Sequence, residues 1–197
     1  MTDVILASGS ASRRALLAGA GVAARSIKPN VDEDAAKSAM RAEGVSVRDQ
    51  AMRLAELKAI KVSTREPGLV IGGDQMLNLN GQAFDKPVDL EAASNHLRKL
   101  SGQEHRLETA IVIAENGEPV WRHVARPKLT VRPLTEAFID EYIEASGPSL
   151  LSTVGAYQLE GLGSQIFTKI EGDYFSILGL PLLPLLDYLR VRGVLKR

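Results

Sequence analysis

The pattern of apolar and polar positions divides the chain into short strands and amphipathic helices. Val4-Ile5-Leu6-Ala7 reads as a short buried strand and Ser8-Gly9-Ser10 as a tight turn. Ser10 or Ser12 then caps a helix that starts near Arg13 and runs through Ala18. Ser26-Ile27-Lys28-Pro29 is a candidate second strand. Ser46-Val47-Arg48-Asp49 has the form of a capping box opening a helix to about Thr64. Val47, Ala51, Leu54, Ala55 and Val62 share one face of that helix at its 3.6-residue period, with Lys58 in the middle of the face.

Leu69-Val70-Ile71 is a buried strand that ends abruptly in Gly72-Gly73-Asp74-Gln75. Asn80-Gly81 and Asn116-Gly117 mark two hairpins, the first joining Met76–Leu79 to Gln82–Phe84. The second joins Leu107–Ala114 to one long strand, Val120–Val131. Asp89 and Thr135 cap two further helices. A strand at Ile166–Ile170 and a leucine-rich helix from Leu182 to Arg192 close the chain. Trp121 reads as core or interface packing. The order of elements predicts one α/β domain over residues 1–197. It would have a mixed twisted sheet with flanking helices and two lobes around a central cleft.

Composition narrows the chemistry. With 197 residues and 24 basic against 24 acidic side chains, the chain has the size of one domain and no net charge. A nucleic-acid polymer or a membrane surface is therefore not its expected partner, because both need a basic face. No cysteine means no disulfide framework, thiol nucleophile or thiolate metal site. His96, His105 and His123 form no HExxH pair. No signal peptide is visible, and the apolar run Ile177–Leu189 is short of the roughly 20 residues of a membrane span. A cytoplasmic location is the expectation. GxxxxGK[ST], GxGxxG and a G-x-S-x-G triad motif are all missing.

What remains is a set of cations near small-residue turns and of acids at loop positions. The strand, Ser8–Ser10 turn and helix N-terminus form an anion site flanked by Arg13 and Arg14, or an ordinary connection with two solvated arginines. Lys58 either lifts its ammonium from the core to water or meets a phosphate. Asp32-Glu33-Asp34 serves as helix N-terminal charge or as ligands for a hard cation. Lys86, held extended by Pro87, is solvated or aimed into a cleft. Asp74, after two glycines, is the acid most suited to chemistry. Such a set suits phosphoryl or nucleotidyl transfer, with cations on polyphosphate oxygens and carboxylates holding Mg²⁺ or Mn²⁺ and activating water.

Leu6-Ala7-Ser8-Gly9-Ser10-Ala11-Ser12-Arg13-Arg14 closely resembles the first motif of the Maf family of nucleoside triphosphate pyrophosphatases. Val31-Asp32-Glu33, Ala55–Ala59, Gly72-Gly73-Asp74-Gln75, Lys86-Pro87, Leu100-Ser101-Gly102, His105 with Thr109, Gly155-Ala156-Tyr157, Glu160-Gly161, Gly172-Asp173-Tyr174 and Gly179-Leu180-Pro181 resemble its later blocks in order. Where many members have proline after the second serine, this chain has Ala11.

The resemblance implies a cytoplasmic, often homodimeric enzyme with a fold related to inosine triphosphate pyrophosphatases. It would cleave a nucleoside triphosphate between the α and β phosphates with a divalent metal cation, Mg²⁺ or Mn²⁺. Asp74 would then be the general base, with Glu33 and Asp74 as metal ligands. Ser8, Arg13, Arg14, Lys58 and Lys86 would hold the phosphates. Gln75 with Glu160 resembles the branch acting on 7-methyl-GTP. A nucleotide-binding regulator of septum formation, with incidental catalysis, is the alternative.

Overall fold

The computed structural model describes residues 2–196. They form a mixed α/β structure that divides into two compact units. Of the described residues, the first comprises 2–75, 109–125 and 173–196, and the second 76–108 and 126–172. The divisions fall within two long strands, β3 (Leu69–Leu79) and β5 (Glu104–Glu115).

In the first unit β1 (Val4–Ala7) pairs in parallel with β2 (Ala24–Ser26) and with β3, Val4 facing Leu69 and Ala7 facing Gly72. The order is β2-β1-β3-β5, and β6 (Glu118–Ala125) pairs antiparallel with β5. The second strand is thus three residues long and lies slightly earlier than the Ser26–Pro29 expectation. Helices α1 (Ala11–Gly19), α2 (Glu33–Ala42), α3 (Val47–Ser63), α6 (Tyr174–Ile177) and α7 (Leu182–Val191) complete this unit. One core cluster joins Val4, Leu6, Leu69 and Ile71 to Ile111, Ile113, Leu185 and Leu189, which lie far away in sequence. Trp121 packs against this cluster, stacked on Tyr188 at 5.1 Å and on His123 at 5.8 Å between ring centroids.

In the second unit β3 turns into β4 (Gln82–Phe84), and β7 (Lys128–Val131) lies between β5 and β8 (Phe167–Glu171). Helices α4 (Leu90–Leu100) and α5 (Glu136–Ser146) and two 3-10 turns accompany them. The Asn80-Gly81 hairpin is present, both residues having the positive φ that its turn requires. Inside this unit His105 is buried, its Nε2 2.7 Å from the Tyr157 hydroxyl, with Phe167 against both rings. Its Nδ1 has no hydrogen-bond partner among the described residues.

Two sequence expectations are corrected. The glycines do not end the first central strand, for β3 runs unbroken from Leu69 to Leu79. Gly72 instead lets helix α3 lie against the strand, since a Cβ there would come within 2.6 Å of the Ala59 backbone nitrogen. The long strand expected from Val120 to Val131 is two strands, β6 and β7. Pro127 sits between them and offers no N–H to a ladder, while its carbonyl accepts from the Leu107 amide at 3.0 Å. Among the described residues no helix is long and apolar enough to cross a membrane.

Candidate active site

β1 ends at Ala7 opposite Gly72, so Gly73, Asp74 and Gln75 lie on β3 just past the carboxyl end of β1. The chain leaves β1 through Ser8-Gly9-Ser10 and enters α1, capped by Ser10, whose Oγ accepts from the Arg13 amide at 3.3 Å. Arg13, in the first turn, points inward. Its Nε donates to the Gly179 carbonyl at 2.7 Å and its Nη1 to Ser8 Oγ at 3.2 Å. Gly73 leaves room for it, as a Cβ there would lie 3.2 Å from Arg13 Nε. Burial pushes the guanidinium pKa down, and the negative charges of Asp74 and Glu33 push it back. Arginine starts so high that it stays a cation. The Ser8 hydroxyl also accepts from the Ser10 amide at 3.2 Å, so the turn and the arginine are tied together.

Lys58 comes from the inward face of α3. Its Nζ lies 2.7 Å from Asp74 Oδ1 and 2.9 Å from Glu33 Oε1. The Lys58 and Asp74 side chains are 7% and 9% exposed, and Glu33 is 40% exposed. The three acids after Val31 divide their work. Asp32 caps α2 by accepting from the Ala35 amide at 3.0 Å, whereas Glu33 reaches Lys58. The helix N-terminal reading of that segment therefore holds for Asp32, while Glu33 is turned to an ammonium. Glu33, Asp74, Lys58 and Arg13 together carry two negative and two positive charges. Lys58 and Asp74 are the buried pair among them, and removing one leaves the charge of the other uncompensated, which costs about 3–5 kcal/mol.

Gln75 follows Asp74 and is held from behind. Its Nε2 donates to Thr109 Oγ1 at 2.9 Å and to the Ser176 and Ile177 carbonyls at 3.0 and 3.1 Å. Carbonyls accept only, so this set of partners fixes which end of the amide is nitrogen. Thr109 donates to the Ser176 carbonyl at 3.0 Å. Asp173 caps α6 through the Ser176 amide at 3.1 Å, and the Ser176 hydroxyl donates to the same carboxylate. The amide donors of Gln75 are thus occupied within the protein, leaving Oε1 as the group it can offer a ligand.

The structure brings Ser8, Arg13, Glu33, Lys58, Asp74 and Gln75 together in the first unit. Arg14 is also there but exposed, its Nη1 donating to the Gly9 carbonyl at 3.2 Å. Lys86 and Glu160 belong to the second unit, both exposed. Thr109 stands in one of the family-like blocks, but its hold on Gln75 was not foreseen, and the carbonyls of α6 left no signal in the sequence.

The donor set fits a hard divalent cation. Asp74 and Glu33 converge on one point, now held by the Lys58 ammonium, and two carboxylates completed by phosphate oxygens and water are what Mg²⁺ ordinarily takes. Among the described residues no three His, Cys, Asp or Glu side chains converge as an all-protein cage.

Comparison with known proteins follows the same lines. A nucleoside triphosphate pyrophosphatase of Hyphomonas neptunium is 70% identical, covering 98% of this chain and 97% of its own. Another, from Caulobacter vibrioides, is 53% identical over 99% and 98%. A 7-methyl-GTP pyrophosphatase of Rhizobium meliloti is 49% identical over 98% and 97%. The family described as Maf-like protein matches residues 3–192, and the chain belongs to it.

Proposed function

We propose that this protein is a nucleoside triphosphate pyrophosphatase, hydrolysing its substrate between the α and β phosphates to a nucleoside monophosphate and pyrophosphate. The observation that carries the reading is the charge group of buried Asp74, Lys58 and Arg13 with half-exposed Glu33, in a chain whose relatives along almost their full length are pyrophosphatases by name. Asp74 takes a proton from water as its oxygen attacks the α phosphorus, and pyrophosphate leaves with the electrons of the broken P–O bond. Arg13, Lys58 and Arg14 supply positive charge for the triphosphate, and Ser8 a hydroxyl. A divalent cation held by Glu33 and Asp74 would polarise the phosphate it binds and neutralise the leaving group. The relatives' names favour an enzyme over a division regulator.

Within this activity, 7-methyl-GTP is the substrate we favour. Gln75 can offer an acceptor oxygen to a base edge, and the resemblance of Gln75 with Glu160 to the 7-methyl-GTP branch points the same way. Two relatives at 48% and 49% identity bear that substrate in their names. Pyrophosphate release from 7-methyl-GTP, GTP, UTP and dTTP with Mg²⁺ or Mn²⁺ tests both levels. Turnover with the highest kcat/KM on 7-methyl-GTP is expected. Preference for UTP would remove the substrate assignment, and no turnover on any of the four would remove the enzyme.

A further inference from the structure

We propose that Lys58 holds the place of the divalent cation in the free protein, so that cation and nucleotide bind with strong mutual reinforcement. The Lys58 ammonium bridges Asp74 and Glu33, the two carboxylates that converge in the site. With Arg13 alongside, the four charges cancel. A bare cation approaching this group meets no net attraction and is repelled by the ammonium, which stands 2.7 and 2.9 Å from the oxygens that would be its ligands. A bare triphosphate, in turn, meets two carboxylates. Each ligand therefore removes the obstacle to the other.

Lys58 is built for such an exchange. Its Cα is fixed because α3 lies tight on Gly72, whereas its four-carbon stem is flexible and its ammonium accepts any geometry of oxygens. Incoming phosphate oxygens offer the ammonium new partners, and the carboxylates are then released to the cation. By linkage, the factor by which nucleotide tightens the cation equals the factor by which the cation tightens nucleotide. The nucleotide half of this proposal rests on the pyrophosphatase reading, and the effect of Lys58 on the cation alone does not.

The test measures Mn²⁺ binding to the full chain by electron paramagnetic resonance, with and without α,β-methylene GTP, whose own binding is followed in parallel. Lys58→Met is expected to bind Mn²⁺ alone about tenfold tighter than wild type. Lys61→Met is the control for charge in general. Lys61 lies one turn along the same helix, but its exposed ammonium donates to the Asn30 carbonyl at 2.7 Å. It should change Mn²⁺ affinity by less than about twofold. In wild type, bound nucleotide should tighten Mn²⁺ about tenfold or more, and in Lys58→Met clearly less. The proposal falls if folded Lys58→Met binds Mn²⁺ no tighter, or if Lys61→Met gains as much. It also falls if bound nucleotide leaves wild-type Mn²⁺ affinity unchanged, an arm that decides the matter should Lys58→Met not fold. Tighter Mn²⁺ in Lys58→Met from a protein that binds neither α,β-methylene GTP nor 7-methyl-GTP would keep the role of Lys58 and overturn the pyrophosphatase reading instead.

Discussion

Asp74 and Lys58 meet at 2.7 Å with both side chains almost wholly shielded from solvent, so their charges act on each other with little screening. Asp74→Asn keeps the shape and a hydrogen-bond acceptor, and Lys58 retains Glu33 as its ionic partner. The base itself is lost. Turnover should drop about 10²- to 10⁴-fold while nucleotide binding, measured by calorimetry, persists. Activity within a few fold of wild type would take Asp74 out of its role. Sequence made this pair legible in part. A lysine in the middle of an apolar helix face and an acid after two glycines were each visible, but their meeting depends on how α3 lies on β3. The orientation of Gln75 was not legible at all, because it is set by backbone carbonyls about a hundred positions away.

The relation of α3 to β3 governs the site at the level of elements. Gly72 is the contact point, with the Ala59 nitrogen 2.6 Å and the Ala55 carbonyl oxygen closer still to where a Cβ would stand. Helix backbone cannot swing aside as a side chain can. Gly72→Ala should therefore push α3 outward, costing about 1–3 kcal/mol of stability and widening the Lys58–Asp74 separation. Urea denaturation and kcat measured together check this, and a variant with unchanged stability and rate would show that α3 is less tightly seated. Strand-to-helix order and most caps were readable, since apolar period and capping residues are local properties. Helix α3, the Asp89 and Thr135 caps and both Asn-Gly turns came out as expected. The extent of β3 did not. A pair of glycines looks the same in sequence whether it turns the chain or admits a neighbouring backbone.

Across the whole molecule, acid stability should be set in large part by a residue outside the proposed catalytic group. Burial lowers the His105 pKa from 6.5 to about 4. In the unfolded chain it returns to its ordinary value, so between these limits the unfolded state binds a proton that the native state refuses. Stability from this source is complete above pH 6.5 and is lost as pH falls towards 4, by about 3 kcal/mol in all. Chemical denaturation from pH 7 to pH 4 should show that slope, and His105→Phe should flatten it by about one proton. An equal slope in the variant would shift the cause to other groups. None of this was apparent beforehand, because a histidine among polar residues gives no sign of how deeply its strand is covered.

Trp121 is the only tryptophan in the chain. Its indole, stacked between Tyr188 and His123, belongs to the first unit, while His105 and Tyr157 belong to the second. Fluorescence emission is thereby a private signal of one unit, undiluted by any other indole. Backbone circular dichroism averages over both. Whether the two traces coincide during acid titration tells whether the protein melts as one cooperative body or in two stages, with no label added.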